Sequence, residues 1–356
     1  MADQINAVAP LLHAPLAESR ARMHDVAREA GVSLATVDRA LNQRPGVSAR
    51  TLLRVREAVQ RLAERPGAQL TSHNDGRLLC FLLPSGENSF VAELREELHA
   101  LAPWLSEQGA RAEIRTTDAF APAAAAAAVR RLRGQYDAVV LMVSDDPLVR
   151  EAVERLDADG TCVLTLVSDI KARNRSHFVG IDHLAAGRTA ASLMGRFVGP
   201  REGRIGIVIG APGLHDHAEQ LAGFRQLMAT EHPQLEVLAP LESRDGDERS
   251  GALVRQLLAR HADLVGLYTI GAGNAGVHAE LRAAGGAGLV AWVCHELTSH
   301  TRAALLDGCA SAVIGQNARL QARAACRVAL ARLARQRGKA EDERIRIEIF
   351  LKDNLP

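Results

Sequence analysis

The sequence predicts a small all-α head followed by a two-lobed α/β core with parallel sheets. Three observations carry this. From Leu78 onward, short apolar runs alternate with amphipathic helical stretches, the order required by parallel sheets covered on both faces. The alternation runs through two series, and 356 residues at 47% hydrophobic are enough for two or three cores. Ahead of it, residues 22–65 hold only short helical segments with arginines on their outer faces.

In chain order, MADQINAVAPLLHAPLAESR lacks the basic-then-apolar order of a signal peptide, and residues 1–21 read as a disordered leader. MHDVAREA places Val26, Ala27 and Ala30 at helical spacing, and Gly31 follows where a positive φ ends a helix. Ser33 is placed to cap LATVDRALN, in which Val37 and Leu41 lie four apart and Ala40 is a small inward residue. Ser48 caps ARTLLRVREAVQRLA, with Leu52, Val55, Val59 and Leu62 on one face. Two helices joined by a tight glycine turn make a helix-turn-helix, whose second helix can enter the DNA major groove. Charge agrees with this. The whole chain carries only +1, yet Arg20 to Arg65 holds ten arginines against five acidic residues, which suits an anionic partner.

The stretch DVAREAGVSLATVDRALNQRPGVSARTLLRVREAV resembles the DNA-binding headpiece of the lactose-repressor (LacI/GalR) family of transcription regulators. The resemblance places Ser33, Leu34, Ala35, Thr36 and Arg39 on the recognition face and Asn42 at a following contact position. A guanidinium such as Arg39 bonds two acceptors on a guanine edge or holds a phosphate, while Leu34 and Ala35 suit thymine methyls. Two features depart from the family pattern. Asp38 stands where a serine is usual, and a carboxylate near phosphates needs a cation or a cytosine amine beside it. The linker, residues 66–76, replaces the usual Pro-Asn hinge, with Leu70 as the one candidate for a minor-groove wedge and an uninvolved linker as the alternative.

In the core, LLCFLLP, AEIRTT, DAVVLMV and TCVLTLV form the first strand series, with a helix over VAELREELHALAPWLSEQG and an alanine-driven helix near Ala123–Ala128. After HFVGIDH come RIGIVIG, LEVLAP, DLVGLYTI, GLVAWVC and SAVIG, again with helices between. Ligands of open α/β sheets bind beyond the carboxyl ends of strands, and the loops there are rich in polar residues. Residues 77–356 resemble the periplasmic binding protein-like (type I) sensor core of the same family, above all the ribose-binding type. The resemblance implies lobe 1 at about 77–168 and 317–344 and lobe 2 at about 169–316 and 345–356. It also implies effector contacts at Asn88, Phe90, Asp145, Gln220, Asn274, His295 and Gln316, with Asp169 at the first crossover. Carboxylates, amides and a flat aromatic suit a hydroxyl-rich ligand. Gln220 and His295 replace an arginine and an aspartate and leave the sugar's identity open. Any one of these loop residues is equally explained as a turn cap; the set points to a cleft.

Other chemistries fit less well. Gly271, Gly273 and Gly276 match GxGxxG after a strand, with Glu296 twenty residues on, but in the wrong unit for a dinucleotide site. His215, Asp216 and His217 lack a further metal ligand. There is no nucleophile elbow, P-loop or HExxH. Cys80, Cys162, Cys294, Cys309 and Cys326 are widely spaced and read as reduced core residues. No run reaches membrane-span length. The expectation is a cytoplasmic, sugar-responsive repressor, not an enzyme. It acts as a homodimer on a near-palindromic operator, without cofactor, metal or membrane partner; the alternative is an NAD- or sugar-processing enzyme carrying a DNA-binding head.

Overall fold

The computed structural model describes residues 23–41, 44–63, 76–86, 88–171, 177–334 and 345–356. The expected leader, Asn42 and the linker around Leu70 lie outside them. The chain divides into two units, Met1–Gly76 and Arg77–Pro356.

In the first unit, α1 (Met23–Ala30), α2 (Leu34–Leu41) and α3 (Ala49–Ala63) enclose Val26, Val37, Ala40, Val55, Ala58 and Val59. The expected punctuation is in place. Gly31 has φ +61°. The Ser33 and Ser48 hydroxyls each accept from the backbone N–H three residues on, at 3.2 Å. Arg54 of α3 donates to the Ala30 and Gly31 carbonyls, closing the end of α1, and a Cβ on Gly31 would meet its guanidinium at 2.8 Å.

The second unit begins with β1 (Arg77–Pro84), α4 (Ser89–Ala100), α5 (Ala102–Glu107), β2 (Ala110–Thr117) and α6 (Pro122–Arg131). It continues through β3 (Ala138–Leu141), α7 (Pro147–Ala158), β4 (Cys162–Leu166) and β5 (His177–Val179). These strands form a parallel sheet in the order β2-β1-β3-β4-β5. The single helix expected over 91–109 is two helices, because Pro103 lacks the N–H that would continue α4 and instead opens α5.

The chain then enters the second lobe with α8 (His183–Val198), β6 (Gly203–Ile209), α9 (His215–Glu231), β7 (Leu235–Val237), β8 (Leu241–Glu242) and α10 (Asp247–Arg260). There follow β9 (Leu264–Ile270), α11 (Asn274–Ala284), β10 (Ala291–His295), α12 (Ser299–Leu306) and β11 (Ala312–Gly315). Next α13 (Ala318–Leu333) goes back to pack on β3, β4 and β5 of the first sheet, and β12 (Glu348–Phe350) returns to the second. The second sheet runs β12-β11-β10-β9-β6-β7, with β8 also on β6.

Three expectations are corrected here. β5 belongs to the first sheet, so the first crossover is at Gly180–Asp182 rather than at 168/169, and Asp169 lies in the β4–β5 loop. β12 pairs antiparallel with β11, so the second sheet is mixed. LEVLAP is a strand only over its first three residues, β7, and Pro240, with no N–H for the ladder, lies between it and β8. Cys80, Cys294, Cys309 and Cys326 are buried in the core and Cys162 is half-buried.

Candidate functional site

The carboxyl ends of both sheets face each other across an interlobe cleft of about 280 Å³. The two walls differ in chemistry. The first lobe supplies mostly apolar surface: Pro84, Phe90, Phe120, Met142 and Val167, with Asn88 and serines between them. The second lobe supplies Asp216, His217 and Gln220 from the first turns of α9, Arg244 to Gly246 from the loop after β8, Asp247 from the start of α10, and His295 and Glu296 from the end of β10.

Of the eight expected effector residues, Asn88, Phe90, Gln220, Asn274, His295 and Gln316 line this cleft. Several have their hydrogen-bonding capacity taken up by the protein. Asn88 caps α4 through Oδ1, which accepts from Phe90 and Val91 N–H, and its Nδ2 donates across the cleft to Asp245 Oδ2 at 3.0 Å. Asn274 accepts from the Thr269 hydroxyl and donates to the His295 carbonyl. Gln316 donates to Glu296 at 2.7 Å and accepts from Gln321. His295 Nε2 meets the Tyr268 hydroxyl at 2.8 Å, which leaves Nδ1 for a ligand. Burial, helped by the His183 and His217 rings, pushes His295 down to about 3, so the ring is neutral.

Asp145 and Asp169 lie away from the cleft wall. Asp145 accepts from Arg150 Nε at 2.6 Å and from Lys171 N–H, and it lines a neighbouring, more open cavity. Asp169 accepts from the Thr165 hydroxyl and Ile170 N–H.

The groups left open to a ligand are mostly ones the sequence pointed to for other reasons. Asp216 is 5% exposed and, among the described residues, its Oδ1 makes no hydrogen bond; the same is true of Gln220 Oε1, in a residue 3% exposed. Burial opposes ionisation of Asp216, yet the His217 and His183 rings and the Ser168 hydroxyl hold its carboxyl below the usual range. Glu296 has φ +69°, and burial raises its carboxyl to about 8 against the Gln316 bond that favours the ionised form. Asp216 lies in the HDH stretch and Glu296 twenty residues beyond the GxGxxG one, so both carry a sequence signal, but one that suggests metal or dinucleotide chemistry and fits neither. Asp245 and Arg244 follow a two-residue strand and had no strand-end signal.

The glycine loop has a structural explanation. Its Ala272 and Ala275 N–H groups donate to Asp245 and Asp247, putting carboxylates where a dinucleotide would place phosphate. A Cβ on Gly276 would lie 1.8 Å from the Asp247 carbonyl.

In the head, Ser33, Ala35 and Arg39 are exposed and Leu34 and Thr36 half-buried along α2. Ser33 is spent as the cap, its hydroxyl also 2.8 Å from that of Thr36. Asp38 forms an ion pair with Arg44 at 3.2 Å, the cation its position required.

Residues 79–339 match the periplasmic binding protein domain family, and residues 22–66 match the bacterial regulatory proteins of the lacI family. The chain belongs to the periplasmic binding protein domain family, with a lacI-type head. Catabolite control protein A of Priestia megaterium is 37% identical over 82 residues, which is 22% of this chain and a quarter of that protein's length. The binding-protein core superposes on a transporter solute-binding protein from Burkholderia graminis solved with D-arabinose. That match has a TM-score of 0.71 at 20% identity and covers 79% of this chain and 97% of that one. A protein of Bacteroides fragilis assigned as a LacI transcriptional regulator gives 0.70 at 18% identity over 78% and 98%. The chain therefore joins a lacI-type head of the bacterial regulatory proteins to a periplasmic binding protein domain.

Proposed function

We propose that this regulator is a repressor whose affinity for its operator is set by a small polar effector, a sugar or sugar derivative, held in the interlobe cleft. It acts inside the cell as a homodimer, and two recognition helices related by a twofold axis read a near-palindromic operator. The observation that carries the reading is the pairing, on one chain, of a capped helix-turn-helix with exposed Arg39 and a cleft holding buried, unpartnered acceptors. Effector contact falls to Phe90, Gln220 and His295 together with Asp216 and Glu296, while Asn88, Asn274 and Gln316 shape the site from behind. Ligand that closes the lobes shifts the equilibrium between two states of different operator affinity by as much as its own affinity differs between them.

The test is selection of binding sites from a random duplex library with full-length protein at stated salt. A palindrome is expected, and Arg39→Ala should lose its base preference while retaining salt-sensitive binding. Failure to enrich any sequence, with and without sugars present, would remove the regulator reading.

A further inference from the structure

The cleft carries a charge pattern that a neutral sugar does not need. Its lining includes the carboxylates of Asp216, Asp245 and Asp247, with the arginine Arg244 at one edge, while Glu296, raised to about 8, adds a protonated carboxyl. That guanidinium lies over the Phe120 ring, 5.6 Å from its centroid, and so packs against the first lobe's wall. The adjoining open cavity, which shares Phe120 and Arg244 with the cleft, adds Asp145, Asp146 and Glu242. With Asp145 paired to Arg150, Asp146 and Glu242 still outnumber Arg244 at this rim, and a field of this sign concentrates cations and repels anions.

The floor itself is specific. Asp245 and Asp247 are occupied by backbone N–H groups, and Asp245 also by Asn88. Asp216 is different: it is buried, the His217 and His183 rings and the Ser168 hydroxyl favour its ionised form, and its Oδ1 makes no hydrogen bond among the described residues. Its nearest basic neighbour, His217, stands 3.7 Å from Oδ2. That ring takes the Ala211 N–H at Nδ1, a bond only a ring unprotonated there can accept. Gln220, one turn further along α9, adds a second free acceptor, Oε1. A buried carboxylate oxygen without a partner is costly, and the matching group is a cation with several N–H donors. Opposite it stand Phe90, Met142 and Val167, a wall suited to the C–H face of a pyranose.

We propose that the effector is an amino sugar, a pyranose-sized polyol whose protonated amine sits between Asp216 Oδ1 and Gln220 Oε1, and that the cleft discriminates against phosphorylated and acidic sugars. This rests on the effector reading given above and narrows it. The amine supplies N–H donors to both acceptors, and the ring's hydroxyls reach His295 Nδ1 and Glu296.

The test is thermal melting and calorimetric titration of the full chain at low ionic strength. The probes are D-glucosamine, D-galactosamine and D-mannosamine, each against its parent hexose, its N-acetyl form and its 6-phosphate. At least one amine should bind about ten- to a hundredfold tighter than its parent and N-acetyl form, the range of a charge-assisted hydrogen bond. Asp216→Asn should bring amine and parent to the same affinity. The wild-type comparison stands by itself if that variant folds poorly. Equal or tighter binding of a parent hexose, or binding of a 6-phosphate alone, overturns the amine assignment and leaves a sugar effector standing. Binding of none of the twelve compounds overturns both.

Discussion

At the scale of single residues, the side chains facing the cleft divide into those spent on the protein and those left for a ligand, and the sequence could not tell them apart. Asn88 and Gln316 stand at the expected positions, yet each has both ends of its amide engaged, because a loop at a strand end must satisfy its own turns before it can serve a ligand. The family resemblance makes Asp145 an effector acceptor; the Arg150 guanidinium, five residues on, claims it. Glu296 gives the sharpest consequence. Its carboxyl is raised from 4.5 to about 8, so between those values the folded chain holds a proton that the unfolded chain releases. The folded state is thereby favoured at low pH, and this contribution falls as pH rises through 8. The melting temperature should drop from pH 6 to pH 8.5 by more in the wild type than in Glu296→Gln, which has no proton to lose. Parallel curves for the two would show that the carboxyl is already ionised in the fold.

At the scale of elements, most of the strands were legible because buried parallel strands write themselves as apolar runs, and α3 was delimited to the residue by its serine cap and periodicity. What escaped was short or dictated from outside: β5 and β12 are three residues each, and β12 pairs with β11 across more than thirty residues. Helix packing escaped too. α8 and α9 meet through glycines: a Cβ on Gly187 would lie 2.0 Å from the Gln220 carbonyl, and one on Gly223 would lie 2.2 Å from that of Leu184. Neither obstacle is a flexible side chain. Gly187→Ala should therefore push the helices apart and cost about 1–3 kcal/mol of core stability, the usual penalty of overpacking. Because α9 also carries Asp216 and Gln220, the same variant should weaken effector binding although residue 187 does not line the cleft. Calorimetric melting and ligand titration on one preparation check both, and a variant as stable as the wild type would show that the contact is slack.

At the scale of the whole molecule, regulation requires that the effector distinguish two states of the chain, and the cleft contains groups able to do so. Asn88 of the first lobe bonds Asp245 of the second, and Arg244 beside it stacks on Phe120, so these contacts exist only when the lobes are together. Arg244 and Asp245 hold this position with φ +54° and +61°, a left-handed conformation that costs non-glycine residues energy and that surrounding contacts must sustain. Opening the cleft removes some of those contacts, which makes closure sensitive to a ligand that bridges the walls. If closure is what the heads respond to, thermodynamic linkage fixes the consequence: the factor by which effector changes operator affinity must equal the factor by which operator changes effector affinity, typically 5- to 150-fold. Both can be measured by titrating effector with and without operator duplex, and operator with and without effector. Asn88→Ala, which removes the bridge and an α4 cap, should weaken effector binding and change the coupling factor equally in both directions, while operator binding without effector keeps its salt dependence, which is set by phosphate contacts in the head. An unchanged coupling factor in Asn88→Ala would place the switch elsewhere than in this bridge.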